Sequence, residues 1–183
     1  MPKAEQTRAA LLTAALGLFD ERGYDATTVA AIADRAGVTE MTFFRHFPSK
    51  DAVLLADPYD PLIADAIRHE PASLAPLAAA ISGVAAAWTA VPAPVSSEVR
   101  ERLRIVSRTP SLRGALARNS AATEAAIAAA LVDRGASRSE ARIAAAATLG
   151  ALTAALLDWA DGDDPDLGSA IDAASDVLGG GEQ

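Results

Sequence analysis

The stretch TTVAAIADRAGVTEMTFFRHFPSKD, residues 27–51, has the pattern of two short helices joined by a tight turn. Four apolar residues in its first half follow the spacing i, i+3, i+4, i+7, namely Val29, Ile32, Ala33 and Ala36. This spacing places them on one face of a helix, and Thr27 or Thr28 can cap its start. Gly37 follows the last turn, where a chain often enters the left-handed region that glycine adopts without strain. The sequence therefore predicts a helix that ends in a turn at Gly37.

A second short helix is predicted to begin after Thr39, whose hydroxyl suits an N-cap. Phe43 and Phe47 are four residues apart and are expected to face the interior. The opposite face carries a hydroxyl, a guanidinium and an imidazole, from Thr42, Arg45 and His46. Pro48 ends the helix. A helix that is apolar on one side and rich in hydrogen-bonding groups on the other is shaped to lie in the major groove of DNA.

A longer series of positions resembles the DNA-binding part of the TetR/AcrR (Tet repressor) family. The residues that agree in order and spacing are Phe19, Gly23-Tyr24, Thr27-Thr28, Ile32-Ala33, Ala36-Gly37-Val38, Phe43, His46-Phe47 and Lys50. The resemblance implies an all-α protein of about nine helices. Its three-helix head, residues 1–48, would bind DNA through a helix-turn-helix at about 28–47. Its body, residues 49–183, would bind an effector and form a homodimer.

The resemblance also implies which residues of the head contact DNA. Four residues are expected at base edges or at the phosphates bordering the groove, namely Thr39, Thr42, Arg45 and His46. Arg45 would pair with guanine, while Thr28 and Lys50 would hold phosphates.

Three further residues of the predicted interface depart from the family pattern, namely Glu40, Met41 and Phe44. The carboxylate of Glu40 is repelled by phosphate, so it must face cytosine, pair with Arg45 or Lys50, or weaken binding. Met41 replaces a frequent glycine. Phe44 replaces a frequent tyrosine, so we expect van der Waals contact there or none.

The composition is compatible with a cytoplasmic DNA-binding protein. The chain has 183 residues, of which 51% are hydrophobic, enough for a small head and a larger body. It contains no cysteine, which excludes disulfides and suits a reducing cytoplasm, and its N-terminus lacks the apolar core of a signal peptide. Residues 1–50 hold six basic and six acidic side chains, so the formal charge of -8 comes from the rest of the chain. Phosphate contact is local, and an acidic body does not prevent a neutral head from binding DNA.

The remaining helices can be placed from apolar spacing, prolines and caps. Pro58 and Pro61 are close together, and proline in a helix interior removes a hydrogen bond, so we expect a break there. Pro92 and Pro94 are expected to break the chain again. Ser137-Arg138-Ser139-Glu140 is a capping box that opens a long helix. The helices are expected at residues 3–22, about 49–56, 61–69, within 71–97, at 96–108, 110–133, 137–159 and from 165 onwards.

The body offers candidates for an effector pocket. From Pro71 to Ser97 no residue is charged, and an apolar stripe that includes Trp88 indicates a buried helix. A membrane span is the competing interpretation, but Pro76 and Pro92 leave fewer than the ~20 residues that a bilayer needs. The pocket candidates are Trp88, Leu103 and Arg104. Trp88 also fits simple core packing, and the stripe to which Arg104 belongs also fits a solvated face. We expect a small, largely apolar effector, and the arginines leave an acidic one open.

The last two helices predict a dimer interface. Their apolar residues that could meet a second copy in a four-helix bundle are Leu149, Leu152, Leu156, Trp159, Ile171 and Leu178. Packing within one chain explains the same pattern equally well, and it is the family resemblance that favours the dimer. The acidic run at 161–166 lacks the length and the terminal glutamate of a calcium-binding loop.

The sequence contains no motif for catalysis. With only two histidines and no cysteine it shows no metal-ligand spacing, and it has no nucleophile motif, P-loop or dinucleotide-binding loop. We expect no enzyme, no cofactor and no metal. The predicted function is a ligand-responsive homodimeric repressor that binds a palindromic operator. The alternative is a small-molecule-binding helical dimer whose head no longer binds DNA.

Overall fold

The computed structural model describes residues 3–55, 59–89, 93–164 and 166–179. For residues 93–96 it describes the backbone only. In this part of the chain the structure has ten α-helices, one short 3-10 helix and no strand. The helices are α1 Lys3–Arg22, α2 Val29–Arg35, α3 Glu40–His46, α4 Ala52–Leu55, α5 Asp60–His69, α6 Pro76–Thr89, α7 Ala93–Arg108, α8 Arg113–Asp133, α9 Arg138–Asp161 and α10 Leu167–Gly179, with the 3-10 helix at Pro110–Leu112. The predicted all-helical class is confirmed.

Two compact units divide the chain. The first comprises Met1–Ala56 together with Glu101–Leu116, and the second comprises Asp57–Arg100 together with Ala117–Gln183. The segment 101–116 was expected in the body, but it belongs to the compact unit that contains the helix-turn-helix. The functional division at residue 48 stays a prediction.

The first unit has an aromatic and aliphatic core. Its most deeply buried large side chains are Leu11, Ile32, Phe43, Phe47, Val53 and Leu112. Polar contacts join the distant segment 101–116 to the rest of this unit. Arg102 Nε donates to the carbonyl oxygen of Leu54 at 2.9 Å, and Ser111 Oγ donates to Asp25 Oδ1 at 2.7 Å. The unit is therefore held together by residues more than 45 positions apart.

The second unit is built from packed helices in which small residues allow close approach. Helices α9 and α10 pack together, and α6 packs against α5, α9 and α10. Gly83 of α6 lies against Ile67 of α5, so near that a Cβ atom there would stand 2.7 Å from the Ile67 Cα. Helix α9 begins with the predicted capping box, in which Glu140 N donates to Ser137 Oγ at 3.3 Å and Ser137 N donates to Glu140 Oε2 at 3.0 Å.

Several helix ends differ from the predicted ones. Helix α7 begins at Ala93, so Pro94 stands in its first turn and does not break it. The first-turn N–H groups of a helix have no partner within it, so a proline costs little there. The same argument applies to Pro61 in the first turn of α5. Helix α10 begins at Leu167. Three prolines of the predicted helix ends, Pro58, Pro92 and Pro165, lie outside the described residues, as does Val91, the last residue of the predicted apolar stripe.

Candidate DNA-binding site

The start of α2 is fixed by two adjacent threonines. Thr28 is the N-cap, and its Oγ1 accepts a hydrogen bond from the backbone N–H of Ala31 at 3.1 Å. Thr27 is buried, and its hydroxyl lies 2.8 Å from the carbonyl oxygen of Gly23, to which it donates. Since an N-cap satisfies one of the N–H groups left free by the helix, the sequence itself defines where α2 begins.

The turn between α2 and α3 has the predicted glycine geometry. Gly37 has φ of 69°, in the left-handed region, and no described residue other than glycine has a positive φ. Its N–H donates to Asp34 O at 3.0 Å, and the N–H of Val38 donates to Ala33 O at 2.9 Å. These bonds satisfy carbonyl groups at the end of α2. The two helices of the motif are thereby joined by a defined turn.

Helix α3 is attached to the first unit by its two buried phenylalanines. Phe43 and Phe47 are almost completely buried, and their ring centroids lie 5.7 Å apart. At the N-terminus, Thr39 Oγ1 accepts from Thr42 N at 3.2 Å and lies 3.1 Å from Thr42 Oγ1. At the C-terminus, the N–H of Phe47 donates to Phe43 O at 2.9 Å. The two ends of this seven-residue helix are thus capped by the residues that directly flank it.

The solvent-facing side of α3 differs in part from the predicted side. Four residues are exposed, namely Glu40, Met41, Phe44 and Arg45. Thr42 and His46, which were expected to share the reading face with Arg45, are half-buried. We call these four exposed residues the α3 outer face. Arg45 Nη2 lies 3.7 Å from Met41 Sδ, and the Phe44 ring meets Phe43 edge-on at 5.4 Å between centroids. No ion pair joins Glu40 to Arg45 or Lys50 in the described part of the chain.

Lys50, expected to hold a phosphate, is engaged within the first unit. Its Nζ donates to the carbonyl oxygens of Tyr24 and Thr27, both at 2.8 Å, and lies 4.0 Å from the centroid of the Tyr24 ring. Partial burial lowers the pKa of Lys50, an effect opposed by Asp25 and Asp51. The same surroundings raise the pKa of Tyr24 to about 12, chiefly through burial and then through Asp51 and Asp25. These three contacts link the start of α4 to the turn before α2.

Two family models match the chain. The first, described as bacterial regulatory proteins of the tetR family, matches residues 11–56, and the second, described as the MftR C-terminal domain, matches residues 74–183. The two together leave little of the chain unmatched. The chain belongs to the TetR family. The helix-turn-helix predicted from sequence therefore lies in the TetR N-terminal segment, as the resemblance implied.

Among curated TetR-family relatives, the chain is 36% identical over 137 residues to the HTH-type transcriptional regulator TcmR of Streptomyces glaucescens. This match covers 69% of the chain and 59% of TcmR. The chain is also 45% identical over 56 residues to the HTH-type transcriptional activator FasR of Mycolicibacterium smegmatis. That match covers 31% of the chain and 25% of FasR. The matches thus span less than two thirds of the length of these relatives.

Solved structures of TetR-family proteins share the fold along nearly the whole chain. NalD, the secondary repressor of the MexAB-OprM multidrug efflux pump in Pseudomonas aeruginosa, is 26% identical with a TM-score of 0.55, covering 99% of this chain and 98% of NalD. SmeT, the repressor of the Stenotrophomonas maltophilia multidrug efflux pump SmeDEF, is 22% identical with a TM-score of 0.58, covering 94% of this chain and 90% of SmeT. The likeness to SmeT shows the fold alone.

Half of the predicted dimer residues of this TetR-family chain are buried within the single chain. Leu152, Trp159 and Ile171 are buried in the second unit, while Leu149, Leu156 and Leu178 are half-buried. A side chain already buried in one chain has little surface to offer a partner, although Trp159 also lines the open groove described next. The exposed surface of α9 and α10 instead holds an open groove of about 460 Å³ lined mostly by alanines and by Val177. Val177 is 79% exposed.

The predicted effector residues fall in different compact units. Trp88 belongs to the second unit, whereas Leu103 and Arg104 belong to the first. Trp88 packs against Tyr59, with ring centroids 5.2 Å apart. Trp88 Nε1 and, at the residue that follows Tyr59 in sequence, Asp60 Oδ1 are buried without a hydrogen-bond partner in the part of the chain that the structure describes. Asp60 was not among the predicted effector residues. Its place in the sequence, directly after Tyr59 and before Pro61, was the signal that could have pointed to it.

A second aromatic contact in this unit was also missed from sequence. The guanidinium of Arg100 lies 4.2 Å from the centroid of the Trp159 ring, and its Nη1 donates to Gly162 O at 3.4 Å. Arg100 precedes Arg104 by one helical turn on the arginine stripe of α7, for which a solvated face was one of two interpretations, and it is half-buried against α9. The positive charge of Arg100 contributes to lowering the pKa of Asp164, after hydrogen bonds from the Asp166 backbone and the Ser169 side chain. No local pattern connects residues 59 positions apart.

Helix α9 is long and apolar enough to cross a membrane by length and composition, and a third of its most apolar window is buried inside the chain. Core helices of soluble proteins pass the same test. Helix α9 packs against α6 and α10. Among the described residues no cluster of histidine and acidic side chains could hold a metal ion.

Proposed function

We propose that this TetR-family protein is a cytoplasmic, ligand-responsive homodimeric repressor that binds a palindromic operator and carries no catalytic activity. In a two-fold dimer, the two copies of α3 would enter successive major grooves, with half-sites about 34–36 Å apart. The observation that carries the proposal is the construction of α3. Its buried side is fixed by Phe43 and Phe47, and its outer face presents Arg45 to solvent.

The chemistry of the α3 outer face supports base reading in the major groove. A guanidinium can donate two hydrogen bonds to guanine, and the Glu40 carboxylate can accept one from cytosine. We propose that Thr28, Thr39, Thr42 and His46 contribute contacts to phosphates or base edges at the margins of this face. Thr28 is exposed at the start of α2, and Thr39 and Thr42 lie at the start of α3. Helix N-termini favour negatively charged groups.

The decisive experiment is selection of bound duplexes from a random DNA library by the purified protein, followed by a salt titration on the enriched site. Enrichment of a palindrome, with log K falling by ~0.9 per log unit of salt for each phosphate neutralised, would support the proposal. Absence of any enriched sequence at low salt, from a protein that is folded and dimeric, would overturn it.

A pair of matched variants sharpens this test. Arg45→Ala should weaken binding to the selected operator about 5- to 150-fold and relax selection at one base pair, since a bidentate contact is worth about 1–3 kcal/mol. Arg138→Ala removes the same charge from an exposed position at the start of α9. It should leave operator affinity unchanged. Equal losses in the two variants would indicate a general charge effect and no base contact by Arg45.

The second unit supports the proposed dimer and effector functions. The alanine-rich groove on α9 and α10 would meet its copy in a second protomer, because small residues allow helices to approach closely.

The aromatic pair Tyr59 and Trp88, with the buried polar atoms of Asp60 and Trp88, suits a small effector that is largely apolar but carries groups able to donate and accept hydrogen bonds. An effector releases DNA only if it binds the two conformations of the protein with different affinity.

The alternative proposal is a ligand-binding helical dimer whose head does not bind DNA. Two observations favour it, the exposed carboxylate of Glu40 without a described ion pair and the internal engagement of Lys50. The library selection separates the two proposals directly. A small molecule that raises the melting temperature of a protein without operator affinity would support the alternative.

A further inference from the structure

The most exposed apolar side chains of the described head lie side by side on α3. Met41 is 68% exposed and Phe44 is 52% exposed, and they are the only large hydrophobic residues of the described first unit with such exposure. They are three positions apart, so they project from the same side of the helix. A scattered exposed hydrophobic residue needs no explanation, but two neighbours on a seven-residue helix form a patch.

Both side chains are held by neighbouring residues of the same helix. The Phe44 ring rests edge-on against the buried Phe43 ring, which limits its rotation. The Met41 sulfur lies 3.7 Å from Arg45 Nη2, so the thioether and the guanidinium occupy one part of the α3 outer face. The apolar groups are therefore presented beside the charged group that would read guanine.

The major groove of DNA offers one apolar group for such a patch. Among the four bases only thymine carries a methyl group at the groove surface, and apolar side chains contact it. We infer that Met41 and Phe44 make the operator specific for thymine methyl groups at base pairs adjacent to the one that Arg45 reads. This inference rests on the proposed DNA binding and adds to it the chemical feature that two of its residues recognise.

The test uses the operator obtained by selection, with each thymine of the half-site replaced in turn by deoxyuridine. This change removes one methyl group and leaves every hydrogen-bonding group of the base pair in place. At the contacted positions the wild-type protein should lose affinity by about fourfold for each methyl group. Replacement at other thymines should have no effect.

Two variants connect the methyl groups to the residues. Met41→Ala and Phe44→Ala should each weaken binding to the thymine operator and should show no further loss on deoxyuridine at the base pair that the missing side chain contacted. Both residues are exposed, so neither change should unfold the head. Leu62→Ala, an exposed hydrophobic residue of α5 in the second unit, is the matched control and should retain the full thymine preference.

The outcomes separate this inference from the proposed function. A selected operator that binds equally well with thymine and deoxyuridine throughout, or that contains no thymine in its half-sites, would overturn the inference and leave a DNA-binding regulator standing. A thymine preference that persists in both variants would also overturn it. Failure to select any DNA would overturn both. In that case, pull-down of a protein through the same patch would assign Met41 and Phe44 to a different partner.

Discussion

The ammonium group of Lys50 lies over the ring of Tyr24, 4.0 Å from its centroid, and donates to the Tyr24 carbonyl oxygen at 2.8 Å. A third contact, to the carbonyl oxygen of Thr27, places the same group at the entry to α2. Thr28, the N-cap of α2, is the next residue. The lysine that was expected to hold DNA is thus used to hold the turn that precedes the helix-turn-helix.

The first prediction concerns the role of Lys50. Lys50→Met keeps most of the aliphatic stem but removes the donor from two carbonyl groups and the cation from the Tyr24 ring. The free energy of unfolding should fall by about 2 kcal/mol, because hydrogen bonds to charged groups contribute more than neutral ones. The salt dependence of operator binding should stay unchanged, since no phosphate contact is lost. Urea denaturation and a salt titration measure the two quantities.

The opposite result for Lys50→Met would support a phosphate contact by Lys50. A salt slope reduced by ~0.9 for each lost contact, with stability unchanged, would show that Lys50 leaves the carbonyl groups and meets DNA. Lys3→Met is the stability control, because Lys3 is an exposed lysine at the start of α1. It should unfold at the same urea concentration as the wild type.

The second prediction concerns alkaline pH. The pKa of Tyr24 is raised to about 12 in the folded chain, from the ordinary tyrosine value of 10.0. Between these values the unfolded chain releases the phenol proton and the folded chain keeps it, so the folded state binds more protons and loses stability as pH rises. The melting temperature of the wild type should therefore fall between pH 10 and pH 12. The melting temperature of Tyr24→Phe should fall less over the same range.

The comparison with Tyr24→Phe also separates the tyrosine from Lys50. Lys50 has a lowered pKa, so in a pH window below the ordinary lysine value of 10.5 the folded state binds fewer protons and gains stability as pH rises. That effect has the opposite sign and is common to both proteins. Identical pH profiles in the two proteins would show that the Tyr24 phenol is not perturbed.

The third prediction concerns the contact of α5 with α6. A Cβ atom at Gly83 would stand 2.5 Å from Ile67 Cγ1 and 2.8 Å from the Ile67 backbone nitrogen, so Gly83→Ala should force the helices apart. The expected loss of about 1–3 kcal/mol outweighs the gain in helix propensity. Gly150→Ala is the matched control in α9, where nothing lies within 4 Å, and it should be neutral or stabilising by up to about 1 kcal/mol. Equal melting temperatures for the two variants would contradict the close approach.

The fourth prediction concerns the proposed dimer. Val177→Asp places a charge on the wall of the open groove of α9 and α10, and burying an unpaired charge is costly. Light scattering should show a shift from twice the chain mass towards the mass of one chain, with helical content retained. Leu62→Asp introduces the same charge at an exposed residue of α5 and should remain dimeric. If Val177→Asp is as dimeric as Leu62→Asp, the interface lies elsewhere.

The parts of the fold that were predictable from sequence depend on neighbouring residues. The caps by Thr28, Thr39 and Ser137 and the turn at Gly37 follow from side chains within three or four positions of the groups they satisfy. The burial of Phe43 and Phe47 follows from their spacing. Local hydrogen-bonding geometry is the same in every context, so a sequence pattern is enough.

The parts that were not predicted depend on distant residues or on the phase of a short helix. Lys50 finds its acceptors 23 and 26 positions away, and Arg100 meets Trp159 across 59 positions. Thr42 was predicted on the solvent-facing side of α3, but it is half-buried. A helix of seven residues makes only two turns, so its pattern defines that side poorly, and the packing of α3 against α2 decides its rotation. The same dependence on packing brings the segment 101–116 into the first unit.

Helix α3 separates its two tasks by residue. Phe43, Phe47 and the Thr39 cap keep the helix in place, whereas Glu40, Met41, Phe44 and Arg45 contribute little to that attachment. A change among these four leaves the scaffold intact, so the operator preference of the protein can drift, or be rewritten by design, without a matching loss of foldedness. Selection on target sites and selection on stability therefore act on different positions of the same segment, residues 39–47.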